Sequence, residues 1–496
     1  MSAAAPARRG PLEGVLWTLF AMGGARLITL AGLAVLARLL APADFGLVAF
    51  GLVYVTYATT VGDLGTGAAL IYWPNRREEA AQVTFAANVV VGIAWLLVTW
   101  LAADAVAAFF RSPSGGSILV ALAWTFPIQA LGATHEALCR KSLRFRAWFV
   151  PETGFAGVKA AVSIAFALAG FGAWSLVWGQ LAGQAARTAL FWSVVPWRPA
   201  RRMPWDLVRP MCGYGSHIVV LNVLSAIVHH VDLLIVGRFF GAAALGLYQM
   251  AAKLPEMSIT LVVRAVSHVL FPTLSTLAAS SRSAKDTYLL SLGGVALVAV
   301  PGAVVLVVLA EPLVATAFGP AWLPASPVVQ ALAICGCLRA FGSNAGDLLK
   351  ASGRPGALSA LAVVKAALLV PVLIWAGQRT DMTGVALASA AVTAVTASMS
   401  LVVACRISRT LVADVLGALR PGMMAGFMVA AVLAAWMPLV SGLPPLARLV
   451  SASGVASLAG LAAVRMTSPA IWAVLVQSRR LATRGGRPDL AEAGTP

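Results

Sequence analysis

Charge is scarce in this sequence. Of 496 residues only 11% are Asp, Glu, Lys or Arg, against about 25% in soluble globular domains. With 60% apolar side chains and a mean hydropathy of +0.87, that shortage excludes a water-soluble globule and describes a chain that lives in a bilayer. Cysteine is scarce too. Cys139, Cys212, Cys335, Cys337 and Cys405 lie in or beside apolar segments with no C-x-x-C pair and no nearby His, which argues against a disulfide framework or a zinc site and leaves them as small apolar residues. Long polar stretches are absent between the apolar ones, so there is no soluble catalytic domain and no large external loop. The isolated acids Asp44, Asp104, Glu311 and Asp381 are a poor basis for metal-dependent glycosyl transfer. The glycine cluster Gly62-Asp-Leu-Gly-Thr-Gly67 lacks the Lys-Ser/Thr ending of a P-loop and reads instead as close packing or a bend.

What is present is a long series of apolar runs, each of the ~20 residues that a spanning helix needs. Bounded by charges and prolines, they fall near 14–37, 45–72, 82–103, 117–138, 149–170 and 172–195, then 212–237, 244–271, 287–310, 326–349, 356–377 and 383–404, and finally 413–437 and 443–464. The first run follows Arg8 and Arg9 and is longer than a signal-peptide core, so it is expected to stay as the first span. The expected fold class is an all-α integral membrane protein, with about fourteen transmembrane helices in two six-helix lobes plus two C-terminal helices. The lobes are 1–195 and 212–404, joined by a cytoplasmic linker at 196–211. Two additional spans occupy 405–465, and a charged, Gly-rich cytoplasmic tail occupies 466–496.

The net charge of +18 and a pI near 10.8 would suggest nucleic acid in a soluble protein. In a membrane protein, Lys and Arg gather in cytoplasmic loops beside anionic headgroups. Fourteen spans put twenty-four basic residues on one side, from Arg8 and Arg9 to Arg484 and Arg487. Only Arg38, Arg111, Arg238, Arg379 and Arg448 fall on the other. A missed span would invert the alternation in every later loop, so the split supports both the count and cytoplasmic termini. An internal repeat supports the six-plus-six division. The turn Arg38-Leu-Leu-Ala-Pro-Ala-Asp-Phe-Gly-Leu returns as Arg238-Phe-Phe-Gly-Ala-Ala-Ala-Leu-Gly-Leu, and Glu136 with Arg140 and Arg144 is echoed by Asp347 with Lys350 and Arg354. Repeats of the same orientation make two lobes about an axis along the membrane normal, with a site between them.

Seven basic residues remain inside spans: Arg26, Lys159, Arg187, Lys253, Arg264, Arg339 and Lys365. An ionisable group at mid-bilayer costs ~2.5–3.5 kcal/mol on insertion scales, so such groups are expected to face a wet cavity. Arg187 and Arg264 are near enough to the cytoplasmic end to snorkel, whereas Arg26 is not. Asp63, Asp232, Glu256 and Asp347 lie within spans, with Glu136 and Glu152 near span ends. Lys253 and Glu256 are three residues apart on one helix face, and Arg264 returns to nearly the same face. This stripe is either an internal ion pair or a basic lining for an anionic headgroup such as a diphosphate. His229, His230 and Asp232 share one span. Adjacent helical residues point ~100° apart, so the two His cannot both chelate one metal with this helix alone; the readings left are polar packing and proton coupling with the acid. Pro255, Pro272, Pro301 and Pro371 mark places where helices could kink.

The chain resembles the polysaccharide flippases of the Wzx or polysaccharide-transporter type, within the multidrug/oligosaccharidyl-lipid/polysaccharide exporter superfamily. The residues that carry the resemblance are Leu36-Ala-Arg-Leu-Leu-Ala-Pro-Ala-Asp-Phe-Gly-Leu47, Asp63-Leu-Gly-Thr-Gly-Ala-Ala-Leu70, Arg140-Lys-Ser-Leu-Arg-Phe145, and Val231-Asp-Leu-Leu-Ile-Val-Gly-Arg238 followed by Leu245-Gly-Leu-Tyr248. The resemblance implies an inner-membrane protein that moves an undecaprenyl-diphosphate-linked oligosaccharide to the periplasmic leaflet by alternating access. It implies a groove for the lipid tail at the last two spans, a polysaccharide polymerase and a chain-length regulator as partners, and no cofactor. Related lipid II flippases carry a cavity arginine on the first span, which Arg26 matches by location. They carry another on the second span, where this sequence has Asp63 and no basic residue.

On this reading Arg26, Lys159, Lys253, Arg264, Arg339 and Lys365 contact the substrate, and Asp63, His229, Asp232, Glu256 and Asp347 serve as coupling or ion-pair groups. An exporter of small organic cations needs an acid-dominated cavity, yet the spans hold seven bases to four central acids. A polymerase or ligase of envelope synthesis, and a scaffold that only assembles the synthesis machinery, are the alternatives from other classes.

Overall fold

The computed structural model describes residues 11–62, 65–72, 76–110, 115–142, 145–200, 202–277 and 281–467. Among them the regular structure is helical throughout: α1 (Pro11–Leu39), α2 (Pro42–Gly62), α3 (Thr66–Tyr72), α4 (Arg77–Phe109), α5 (Gly115–Ala123), α6 (Thr125–Lys141), α7 (Phe145–Leu168), α8 (Ala173–Val194), α9 (Trp205–Leu277), α10 (Ser281–Val308), α11 (Ala310–Ala317), a 3-10 turn (Pro320–Ala325), α12 (Ser326–Ala351), α13 (Pro355–Arg379), α14 (Met382–Ser408), α15 (Val412–Leu439) and α16 (Pro445–Thr467). In hydrocarbon a backbone must satisfy its own hydrogen bonds, and a chain of apolar runs does so as helices. Among the described residues the apolar runs lie largely on helix, and ten helical segments are long and apolar enough to cross a membrane. The C-terminal tail lies outside the described residues.

Glycines break the helices at two places. The run at 45–72 divides into α2 and α3 where Gly65 takes φ +63°, the bend that the glycine cluster suggested. A Cβ on neighbouring Gly62 would meet the Trp95 indole at 2.6 Å. The runs at 212–237 and 244–271 are the two arms of α9, joined at Gly241 with φ 82° and ψ −175°. Helix continues through Pro255, Pro301 and Pro371, so it is Gly241 that turns the chain.

The chain divides into two compact units. Unit 1 comprises Met1–Lys253, Ala317–Val328 and Ser359–Val392, and unit 2 Leu254–Thr316, Val329–Leu358 and Thr393–Pro496. In unit 1, α7 packs along α1 and α8, α4 along α6, and α2 against α5. In unit 2, α15 packs along α10 and α16. Apolar helices gain little from leaving lipid for one another, so close backbone approach matters more. At the α10–α15 crossing, a Cβ on Gly422 would press on Ala296 and one on Gly426 on Val300. The α15–α16 seam is lined on one side by buried Ala452, Ala456 and Ala459 beside Val429 and Leu433.

The internal repeat has a direct structural expression inside unit 1. Positions 42 and 242 and positions 46 and 246 correspond at the repeat's offset, and 42 meets 246 while 46 meets 242. A Cβ on Gly46 would overlap the Ala242 carbonyl, and one on Gly246 would overlap the Pro42 carbonyl and lie 2.9 Å from Gly46 N. Trp322, wholly buried, donates its indole N–H to the Ala37 carbonyl at 2.8 Å and takes the edge of Phe45 at 5.1 Å. Phe110 sits against Gly237, 2.9 Å from where a Cβ would stand, and its neighbour Phe109 receives Arg238 over its ring at 5.2 Å. The two repeated corners are thus clasped to each other, each by glycine and by an aromatic residue.

Candidate functional site

Unit 1 holds a polar cavity of about 420 Å³ lined by Thr56, Thr59, Thr60, Gln129, Asn222, Ser225, Ala226, His229 and His230. Helical spacing assembles it. Thr56, Thr59 and Thr60 stand at i, i+3 and i+4 on α2, and Asn222, Ser225, Ala226 and His229 at i, i+3, i+4 and i+7 on the first arm of α9, so each set shares one face. Gln129 comes from α6. The threonine hydroxyls donate to their own helix: Thr56 Oγ1 to Leu52 O at 2.8 Å, Thr59 Oγ1 to Val55 O at 2.8 Å and Thr60 Oγ1 to Thr56 O at 2.7 Å. His229 Nδ1 lies 2.7 Å from the Ser225 carbonyl, which can only accept, so that nitrogen carries a proton. Tyr57 reaches across from α2 to the Ala226 carbonyl at 3.3 Å, fixing α2 against α9. Of these residues only the two histidines stand out in the sequence, since the others carry no charge. The missed signal was a run of hydroxyl and amide side chains at helical spacing on apolar helices.

The charged residues named from the sequence are placed separately. Arg26 is half-buried on α1. Lys159 on α7 donates to Gln180 Oε1 at 2.6 Å and lies 5.5 Å over the Phe155 ring, and Lys253 is half-buried on α9. Lys365 is half-buried on α13. All four belong to unit 1. Asp232 accepts from Tyr248 Oη at 3.1 Å, linking the two arms of α9 across Gly241. In unit 2, Glu256 is exposed, Arg339 is exposed with a guanidinium nitrogen 3.8 Å from Cys335 Sγ, and Asp347 is buried with one oxygen 3.2 Å from Lys350 Nζ. Asp63 and the side chain of Arg264 lie outside the described residues. Of the site residues named from the sequence, the structure therefore places His229 on the cavity wall.

Arg187 is not snorkelling. Its guanidinium meets Glu152 at 2.5 Å and Glu136 at 3.0 Å, all three largely buried, and Glu136 also holds Arg140 at 2.5 Å. This cluster ties α6, α7 and α8. Outside the spans, Arg76 bridges Glu79 and Asp206, and its hydrogen bond holds the Asp206 carboxyl below the usual carboxylate range.

Fold and composition together define a multi-pass helical membrane protein. A lipid II flippase MurJ in an inward closed conformation has a similar structure, with a TM-score of 0.72 over 91% of this chain and 99% of that one at 12% identity. An inward-facing multidrug resistance MATE transporter of the MOP superfamily has one too, at 0.62 over 78% and 95% with 13% identity. The profile of the polysaccharide biosynthesis protein family matches residues 35–327, and the chain belongs to that family. The chain is 25% identical to the lipopolysaccharide biosynthesis protein WzxC of Escherichia coli over 389 residues, 77% of this chain and 78% of that protein. It is 24% identical to the teichuronic acid biosynthesis protein TuaB of Bacillus subtilis over 350 residues, 69% and 71%.

Proposed function

We propose that the protein carries an undecaprenyl-diphosphate-linked oligosaccharide across the inner membrane for the synthesis of O-antigen, capsule or exopolysaccharide. One observation carries the reading: in a chain of this family, five long apolar helices, α1, α7, α9, α12 and α13, each hold a cation within their length, at Arg26, Lys159, Lys253, Arg339 and Lys365. A sugar diphosphate cannot enter hydrocarbon alone. Guanidinium and ammonium groups in a wet interior replace the water that the headgroup loses, while the polyprenyl tail stays in lipid.

On this reading the chain crosses fourteen times, with α1, α7 and α8 spanning and the arms of α9 counted separately, and both termini are cytoplasmic. Two lobes of six spans alternate access to the cavity, and α15 and α16 border the path of the tail. The clasp of the repeated corners then lies at the periplasmic end, where Arg38 and Arg238 belong to the poorly charged side. Its closure supports a state open to the cytoplasm. Asp63, Arg264, Glu256 and Asp347 keep the roles that the sequence suggested, as coupling or headgroup residues.

The test is Arg26→Ala in cells that depend on this protein for surface polysaccharide. The expected result is loss of the polymer, with normal amounts of protein in the membrane and lipid-linked precursor accumulating on the cytoplasmic leaflet. Normal polymer would overturn the assignment of Arg26, and precursor that still reaches the periplasm would overturn transport as the step.

A further inference from the structure

Among the described residues, the lining of the cavity between α2, α6 and α9 is mostly polar and includes no Lys, Arg, Asp or Glu. That distinguishes it from the cations just described. A diphosphate brings acceptors only and needs donors or positive charge. Here three threonine hydroxyl protons are already committed to backbone carbonyls, so Thr56, Thr59 and Thr60 turn lone pairs towards the space. His229 likewise spends its Nδ1 proton on the Ser225 carbonyl. The amides of Asn222 and Gln129 both donate and accept. A wall of this kind is electrostatically poor for an anion and well matched to hydroxyl groups, each of which supplies a proton to an acceptor and an oxygen to an amide. Its volume of about 420 Å³ falls in the ~300–1,000 Å³ range of small-ligand sites.

We infer that this cavity is a glycan subsite: it takes a neutral, polyhydroxylated sugar of the lipid-linked oligosaccharide, and the diphosphate is held by the intramembrane cations instead. The inference rests on the transport reading above and adds which part of the substrate each set of residues meets. Hydroxyl selectivity at such a site comes from leaving wall acceptors unpaired when the sugar is absent. Binding energy spread over several uncharged hydrogen bonds gives specificity without holding the headgroup too tightly to release.

The experiment measures binding to the purified full-length protein in nanodiscs, by native mass spectrometry, of two probes: undecaprenyl diphosphate bearing a single galactose, and bare undecaprenyl diphosphate. The wild type is expected to prefer the sugar-bearing lipid by about ten-fold, the value of one or two uncharged hydrogen bonds. The near-isosteric variants Thr59→Val/Thr60→Val and Asn222→Leu should lose that preference while binding the bare lipid as before. Equal weakening for both probes would mean that the cavity serves the headgroup or the fold, and an undiminished preference would mean that the sugar sits elsewhere; either overturns the subsite. A wild type that binds both lipids tightly without preference overturns the subsite and leaves transport standing. If neither lipid binds, transport of such lipids falls, and the subsite with it.

Discussion

Arg187 illustrates how a single residue decides between two readings. From the sequence it is a cation near a span end, free to snorkel. In the structure it is the centre of a buried cluster with Glu136 and Glu152, and nothing in the spacing of residues 136, 152 and 187 announced that three different helices would converge. Removing one member of a buried ion pair strands its partner, at about 3 kcal/mol or more. Arg187→Met should therefore lower the unfolding midpoint in detergent sharply. Glu136 keeps Arg140, so Glu152 is the carboxylate left without a cation, and adding Glu152→Gln should restore most of the loss. A single variant as stable as the wild type would show that the cluster contributes nothing to the fold. The cavity residues failed to show for the opposite reason. Hydroxyls and amides are cheap enough in a helix to pass as packing, and only the helix-to-helix arrangement of α2, α6 and α9 turns two polar stripes into one wall.

Helices were the most legible level, because a run of ~20 apolar residues has few alternatives in a bilayer. What joined or broke them was less so. The repeat of the Arg38 turn at Arg238 put a corner between the runs at 212–237 and 244–271, but did not say that Gly241 makes it. The prolines, which looked like the hinges, leave α9, α10 and α13 helical through positions 255, 301 and 371. Gly241 adopts φ 82° and ψ −175°, a region essentially reserved for glycine, and a Cβ there would touch nothing within 4 Å. Gly241→Ala should thus be destabilising by strain alone, about 1–3 kcal/mol. Gly417, inside α15 and also with open space around its Cβ position, is the control. There the same substitution removes only backbone entropy from the unfolded chain, and it should stabilise by up to about 1 kcal/mol. Thermal midpoints that move in the same direction for both variants would show that the Gly241 corner is not strained.

At the scale of the molecule, alternating access demands a contact that exists in one state and not in another, since a ligand or mutation shifts an equilibrium only through what differs between the states. On the proposed transport reading, the crosswise clasp of unit 1 is that contact. Its glycines bring backbone to backbone, and Trp322 fills a site with no exposed surface and bonds Ala37. In a state opened to the periplasm, Trp322 would be partly released, so its truncation penalises mainly the closed arrangement. Burial of so large a side chain contributes about 3–5 kcal/mol, and even half of that differential shifts the population by roughly ten-fold. In a background lacking the natural cysteines, Ala226→Cys places a thiol on the cavity wall. Trp322→Ala should speed its reaction with a membrane-impermeant maleimide added from the periplasmic side by about that factor. Gly46→Leu, which wedges a side chain against the Ala242 carbonyl, should do the same without removing any aromatic contact. If both variants lower the thermal midpoint while the labelling rate stays at the wild-type value, the clasp is a static part of the scaffold, and the periplasmic gate lies elsewhere in the chain.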